Sequence, residues 1–285
     1  MEIKKVSVIG GGTMGNGIAH VFALNNYEVN MVEQTKELAD KAVDTITKNL
    51  ERQLKKEKIT LDTKDQCLKN ISKIVGVENT PSDSDLVIEA IYENKEAKSS
   101  IFKKLSNIIK PDSIFASNTS SISITELSVF GKPEKFIGMH FMNPVPVMKL
   151  VEIIRGYSTS DDTFETIKNL TLKLDKIPVE VFDYPGFVAN RILMPMINEA
   201  IFALMEGVAS AEDIDTVMKF GMNHPMGPLT LADFIGLDVC LAIMEVLYNG
   251  FNDSKYRPCP LLRKMVAAKK LGRKSGEGFF KYNEG

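Results

Sequence analysis

Cysteine is scarce in this 285-residue chain: Cys67, Cys240 and Cys259 are odd in number, widely spaced and without a Cys-x-x-Cys pair. That argues against a disulfide framework and against a thiolate zinc site, and leaves buried thiols as the expectation. Histidine is equally rare, and His20 and His224 stand without metal-ligand spacing, so no metal site is expected. No apolar run approaches the roughly 20 residues that a helix needs to cross a bilayer. The opening Met-Glu-Ile-Lys-Lys has no apolar signal-peptide core, so no membrane association and a cytoplasmic location are expected. A basic excess is missing too: the net charge is −2, which gives nucleic acid no general reason to bind. There is no internal repeat or low-complexity tract. With 44% hydrophobic and 25% charged residues the composition is that of a globular protein, long enough for one large or two ordinary domains.

The stretch Phe136 to Ile154 is the most informative. Pro144 and Pro146 cannot donate to a sheet ladder, so the chain is predicted to reverse there, between strands Phe136–Phe141 and Met148–Ile154. A reversal centred on Pro146 sets His140 opposite Glu152. A carboxylate that accepts an imidazole N–H fixes the tautomer, leaves the other nitrogen as a base, and stabilises the imidazolium once it forms. The plainer alternative is a hydrogen-bonded core histidine with a glutamate on a wet strand edge.

Near the N-terminus, Lys5–Ile9 is a short apolar strand that runs into Gly10, Gly11, Gly12, Thr13, Met14 and Gly15 and then a helical pattern. Strand, glycine turn and helix form the context a dinucleotide motif requires: Gly10 for the tight turn, Gly12 for approach of a pyrophosphate, Gly15 for close helix packing. The helix N-terminus then offers unpaired N–H groups to the anion. A second strand, Glu28–Val32, ends at Glu33, where an acid would accept hydrogen bonds from a ribose diol and repel a 2′-phosphate. NAD(H) is therefore favoured, while Lys36 nearby keeps NADP(H) open. A solvated or capping glutamate is the competing reading.

A charged helix from Thr35 to about Lys58 follows, with Lys48, Arg52, Lys55, Lys56 and Lys58 near its end. This basic face is either merely solvated or a seat for the phosphates of a large anionic substrate. Strands Ser84–Ala90 and Ser113–Ser117 alternate with a helix from Asn94 to Ile109, which argues for an open, mostly parallel sheet with helices on both faces. Loops after the strands carry ligand sites in such sheets, which puts Glu89, Glu93, Lys98, Ser117 and Ser120 on the cofactor side, unless the serines are simple turn residues. A helix (Asp161–Leu174) and a last strand (Ile177–Val181) precede the boundary signal Asp183-Tyr-Pro-Gly186. Beyond it the period turns helical, over Phe187–Glu206, Ala211–Phe220, Leu229–Tyr248 and Leu261–Lys269. The predicted fold is thus α/β: a Rossmann-type, mostly parallel sheet domain over 1–183, then an all-α domain over 184–285. The segment 231–248 is apolar on more than one face, so a subunit interface, and hence a homodimer through the C-terminal helices, is the expected cover. Asn190, in the first turn after the boundary, is either a surface residue or one whose amide reaches the active cleft.

Taken together, these residues resemble a family. Gly10–Gly15, residues 115–121, His140 to Glu152, Pro185 to Arg191, His224 to Pro228 and Gly272 to Phe279 are similar to the short, monofunctional 3-hydroxyacyl-CoA dehydrogenases, and within them to the microbial 3-hydroxybutyryl-CoA dehydrogenases; the resemblance runs from Val6 to Tyr282. It implies His140 as catalytic base, Glu152 as its orienting carboxylate, and Ser120 and Asn190 as the polar residues that hold the reacting oxygen. It likewise implies Glu33 as the ribose acid, the glycine turn with Thr13 and Met14, Glu93, Lys98, Ser120, Asn143 and Lys274 as cofactor contacts, and Asn49, Lys56 and Ser120 toward the coenzyme A part of an acyl-CoA substrate. An S-configured alcohol and a short acyl chain, with acetoacetyl-CoA as the ketone, are implied as well. Two departures are mild: Met142 stands where Phe is usual and Glu33 where Asp is common. Asn49, for its part, occupies a position often held by serine. Relatives acting on free hydroxy acids, such as gulonate dehydrogenases, and a non-catalytic dinucleotide sensor are the rival readings.

Overall fold

In the computed structural model, which describes residues 1–282, short runs of Val, Ile and Phe form strands buried on both faces, as parallel strands covered by helices must be. In chain order the first part comprises β1 (Lys5–Ile9), α1 (Thr13–Leu24), β2 (Glu28–Glu33), α2 (Lys36–Lys55), α3 (Leu61–Lys69), β3 (Ile71–Val75), β4 (Leu86–Glu89), α4 (Lys95–Leu105), β5 (Ile114–Ser117), α5 (Ile124–Ser128), β6 (Phe136–Phe141), β7 (Leu150–Arg155), α6 (Asp161–Lys173) and β8 (Ile177–Phe182). The strands make one sheet in the order β3-β2-β1-β4-β5-β6-β7-β8. All neighbours are parallel except β6 and β7, which run antiparallel. The chain leaves β1 toward β2 and β3 on one side and returns to β4 on the other. A crevice at the carboxyl ends of β1 and β4 is where such sheets receive ligands.

Two elements carry weak signatures in the sequence. Helix α3 buries only Cys67, and edge strand β3 exposes Ser72, Lys73 and Val75, so neither shows the periodicity of a core element. By contrast α2 begins where Thr35 caps it, its side chain accepting from the Leu38 N–H at 3.3 Å, and its apolar stripe Ala39, Ala42, Ile46, Leu50 faces the core.

The chain divides into two compact units, Met1–Asp183 and a second that begins at Tyr184. The second contains α7 (Ala189–Met205), α8 (Ala211–Thr216), α9 (Pro228–Ile235), α10 (Leu237–Phe251) and α11 (Pro260–Ala267), and has its own core around Ile197, Ile201, Leu229, Leu237, Met244, Leu247 and Leu262. The single helix expected over Leu229–Tyr248 is two helices, because Gly236 adopts φ 104° and ends α9 before α10 starts. The helix expected to reach Phe220 ends as α at Thr216 and continues as one widened turn, Val217–Gly221. Among the described residues no helix is long and apolar enough to cross a membrane, and no group of three potential metal ligands occurs. All three cysteines are buried, and burial pushes the Cys67 and Cys240 thiols up to about 12, far from the thiolate that reactivity requires.

His20 lies fully buried on α1, with Nε2 3.4 Å from Gln53 Nε2 and no hydrogen-bond partner at Nδ1. Burial holds its imidazole down at about 4 against an ordinary 6.5. The unfolded chain therefore takes up this proton near 6.5 and the folded one only near 4, so acid favours unfolding across that window, by roughly 3 kcal/mol in total. Urea unfolding at pH 6.5 and at pH 4 is expected to show His20→Met losing roughly 3 kcal/mol less over the interval than the parent chain. Equal losses would mean that the imidazole takes up its proton in the folded state.

Candidate active site

The first turn is shaped by its glycines, each for a different reason. Gly10 holds φ 95° and donates its N–H to the Val32 carbonyl at 2.9 Å, which joins the turn to β2. A Cβ on Gly15 would lie 1.7 Å from the Gly10 carbonyl oxygen, so helix α1 could not start this close to the strand with any side chain there. Gly12, at an ordinary φ of −61°, would place a Cβ in open space, with nothing within 4 Å. It is also the N-cap of α1 and provides no side-chain cap, so the helix N-terminus is open to an anion. From the end of β2, Glu33 accepts the Gly11 N–H at 2.5 Å, and its second oxygen accepts the Gln34 N–H at 3.1 Å. The carboxylate is thus fixed beside the turn with lone pairs left for a diol. Thr13 is exposed and Met14 half-buried at the same place.

The ends of β4 and β5 form a second cluster. Glu89 is fully buried, paired with the Lys98 ammonium at 2.7 Å, and accepts from Ser117 Oγ at 2.6 Å and the Ile91 N–H at 2.7 Å. Burial pushes this carboxyl above its usual range, against the pull of Lys98, Ser117 and the Ile91 N–H. Lys98 also reaches Glu93 at 3.2 Å and the Ile91 carbonyl at 3.3 Å, so the three protons of a fully buried ammonium are all directed within this unit. One oxygen of Glu93 accepts from Thr119 Oγ1, from the N–H and hydroxyl of Ser120, and from the N–H and hydroxyl of Ser121, at 2.6 to 3.2 Å. Burial works upward on Glu93, but the Lys98 charge and these donors outweigh it and hold the carboxyl below its usual range.

The third element is the antiparallel pair. His140 on β6 faces Glu152 on β7 in the register, and His140 Nδ1 lies 2.7 Å from Glu152 Oε2, both side chains being buried. An ionised carboxylate only accepts, so Nδ1 carries the hydrogen and Nε2 is the basic nitrogen. The proline turn between the strands is anchored from two sides. Buried Lys176 donates to the carbonyls of Val145 and Met148 at 2.7 Å each, and Val145 packs where a Cβ on Gly17 of α1 would come within 2.9 Å. Asn118, just after β5, accepts the Phe141 N–H at 3.0 Å and ties the end of β6 to the Ser120 turn. Sequence reasoning missed Lys176, Gly17 and Asn118; a lysine directly before the strand Ile177–Phe182 was the available signal.

The remaining residues lie apart from these clusters or in the other unit. Asn143 is exposed in the proline turn. Asn49 and Lys56 sit seven residues apart along α2, where Arg52 approaches Asn49 Oδ1 at 3.4 Å and Lys56 closes the helix. In the second unit Asn190 is buried in the first turn of α7, and Lys274 pairs with Asp238 at 2.5 Å.

A mostly parallel sheet whose first turn leaves a helix N-terminus open, with an acid-oriented imidazole toward the carboxyl end of a later strand, has the features of a dinucleotide-dependent dehydrogenase. Comparison with known families specifies which. Residues 5–184 match the 3-hydroxyacyl-CoA dehydrogenase NAD-binding domain and residues 186–282 the 3-hydroxyacyl-CoA dehydrogenase C-terminal domain, so the chain belongs to the 3-hydroxyacyl-CoA dehydrogenase family. It is 57% identical over 279 residues to a probable 3-hydroxybutyryl-CoA dehydrogenase of Deinococcus radiodurans, covering 98% of this chain and 100% of that one. With the human mitochondrial hydroxyacyl-coenzyme A dehydrogenase it shares 42% over 288 residues, covering 98% and 91%. The crystal structure of the (S)-3-hydroxybutyryl-CoA dehydrogenase of Ralstonia eutropha superposes with a TM-score of 0.97 at 50% identity, over 99% of this chain and 100% of that one.

The demands on Gly15 and on Gly12 can be separated. Gly15→Ala is expected to lower stability by about 3 kcal/mol, because backbone must move to admit the methyl group. Gly12→Ala should change stability by less than about 0.5 kcal/mol yet weaken NADH at least about tenfold, by filling the space a pyrophosphate would occupy. Thermal unfolding without cofactor and a fluorescence titration with NADH check both; undiminished NADH affinity in Gly12→Ala would mean the open space is not the pyrophosphate seat.

Proposed function

We propose that this protein is an NAD-dependent (S)-3-hydroxybutyryl-CoA dehydrogenase, which interconverts a short 3-hydroxyacyl-CoA and its 3-ketoacyl-CoA. The observation that carries the reading is the buried 2.7 Å bond between His140 Nδ1 and Glu152, which leaves Nε2 poised to take a hydroxyl proton. NAD, when bound, supplies the acceptor for the C3 hydride. As the hydroxyl loses its proton to Nε2, Glu152 compensates the charge on the imidazolium; in the reverse direction the imidazolium returns that proton to the forming alkoxide. Ser120, at the carboxyl-end turn after β5, and Asn190, by family resemblance, hydrogen-bond the oxygen on which charge develops.

The open space over Gly12 and the fixed Glu33 carboxylate suit the pyrophosphate and the ribose diol of NAD, and a 2′-phosphate beside Glu33 would meet like charge. Asn49 and Lys56 carry the coenzyme A assignment, Lys56 as a mobile positive charge toward phosphate. Asn143 and Lys274 keep the cofactor roles the family implies. The choice of the four-carbon thioester rests on the full-length likeness to the Deinococcus and Ralstonia proteins. Free hydroxy acids fit less well, since they would leave the basic face of α2 without a use.

Loss of NADH absorbance with acetoacetyl-CoA tests the proposal, repeated with NADPH and with free acetoacetate. Fast turnover is expected only with the thioester and NADH. His140→Ala should keep NADH binding while turnover falls by about three orders of magnitude or more, and a near-normal rate would remove the base from the scheme. We also assign the second unit to homodimer formation. Its exposed apolar residues, among them Ile192, Val208, Val217, Phe220 and Phe234, support this. Sedimentation should give a mass near twice 31.7 kDa, and a monomer at all concentrations would refute the assignment.

A further inference from the structure

We propose that Glu89, a buried carboxylate with no part in the chemistry described so far, is a positioning residue that holds Ser120 in its working place. The inference rests on the reading of Ser120 as a partner of the reacting oxygen. Glu89 reaches the Ser120 turn along two routes. Through Lys98 it fixes Glu93: the ammonium lies 2.7 Å from Glu89 and 3.2 Å from Glu93, whose other oxygen collects the donors of residues 119–121. Through Ser117 it fixes the start of the same turn, since Ser117 Oγ donates to Glu89 at 2.6 Å and accepts the Thr119 N–H at 3.2 Å.

The geometry on Glu93 explains why such control is needed. Five donors lie within 3.2 Å of a single carboxylate oxygen, more than its lone pairs can satisfy at once. The longest of the five contacts, at 3.2 Å, is that of the Ser120 hydroxyl, while the Ser120 N–H is held at 2.9 Å. The backbone of Ser120 is thus pinned and its hydroxyl is the donor most readily exchanged for a substrate oxygen. Were Glu93 to swing or drop, the competition would resolve differently and the hydroxyl would lose its place. The Lys98 contact restrains the second oxygen of Glu93, and Lys98 is itself set by Glu89, so the carboxylate that accepts from Ser117 also aims the one that accepts from Ser120.

The test is a double-mutant cycle in turnover with acetoacetyl-CoA and NADH, using the parent, Glu89→Gln, Ser120→Ala and the double variant of the full chain. Glu89→Gln is expected to lower kcat between about ten- and a hundredfold, the cost of a small misplacement of a working group. In the Ser120→Ala background the same change should cost less than about twofold, because the group it positions is already gone. A merely structural role would make the two losses multiply, and that result, or parent-like turnover of Glu89→Gln, overturns the proposal. Parent-like turnover of Ser120→Ala would overturn the reading of Ser120 and the proposal together, a pattern distinct from multiplying losses. If circular dichroism shows Glu89→Gln unfolded, Ser117→Ala takes its place: it removes one hydrogen bond to Glu89 without unpairing a charge, and its loss, expected to be several-fold, must likewise vanish in the Ser120→Ala background.

Discussion

A hydrogen bond between side chains on neighbouring antiparallel strands exists in one register only. His140 meets Glu152 because β6 and β7 pair with residue 140 opposite 152; a slip of one residue would put Val151 or Ile153 there and leave the imidazole against an aliphatic chain. This is the single antiparallel pairing in a sheet whose other neighbours are parallel, and it is what lets a strand bring a carboxylate back to the edge where the parallel strands end. The turn that sets the register is therefore held hard. Lys176 caps two of its carbonyls, Gly17 lets Val145 seat against α1, and Asn118 fastens the end of β6 to the turn after β5. A buried lysine desolvated for this purpose is a cost: burial first, and then the Lys149 charge, hold the Lys176 ammonium below its usual range against the pull of Asp175.

The same edge gathers several carboxylates, each given a partner in advance. Glu33 holds the Gly11 N–H, Glu89 holds Lys98 and Ser117, Glu93 holds the Ser120 turn, and Glu152 holds the imidazole. Of these four acids, Glu89 and Glu93 share the Lys98 ammonium, without which they would repel and raise each other's affinity for protons. Distributed onto backbone N–H groups, hydroxyls, an ammonium and an imidazole, they become fixed acceptors. Preorganisation of this kind costs nothing at the moment of reaction, since the groups do not have to reorient as charge moves.

Much of this was legible in the sequence, for identifiable reasons. Proline cannot donate to a sheet ladder, so Pro144 and Pro146 mark where the chain reverses, and the reversal sets His140 opposite Glu152. The glycine turn was legible because strand, turn and helix lie side by side in the chain. Other features depend on contacts that no local pattern encodes. The Glu89–Lys98 pair spans a loop and the start of a helix, and nothing in its spacing distinguishes a buried ammonium from a solvated one. Helix α3 and strand β3 lie at the wet edge, where side-chain polarity hides periodicity. The break at Gly236 is invisible in the apolar run Leu231 to Leu241, because glycine is tolerated in helices and only its φ of 104° reveals the stop. The site roles expected of Asn190 and Lys274 rest on the family resemblance, their own surroundings in the sequence being those of ordinary helix and loop residues.

The glycines of the first turn show why a motif and a site are different kinds of evidence. Gly10 is required by a backbone angle and Gly15 by a carbonyl oxygen that a methyl group would strike, so both answer to the fold. Gly12 has an ordinary backbone angle and empty space where its side chain would be; no demand of the protein's own packing explains it. Any αβ protein with a tight strand-to-helix turn could carry the outer two glycines, whereas the middle one, at an uncapped helix N-terminus and beside a tethered acid, leaves room for the anion proposed above.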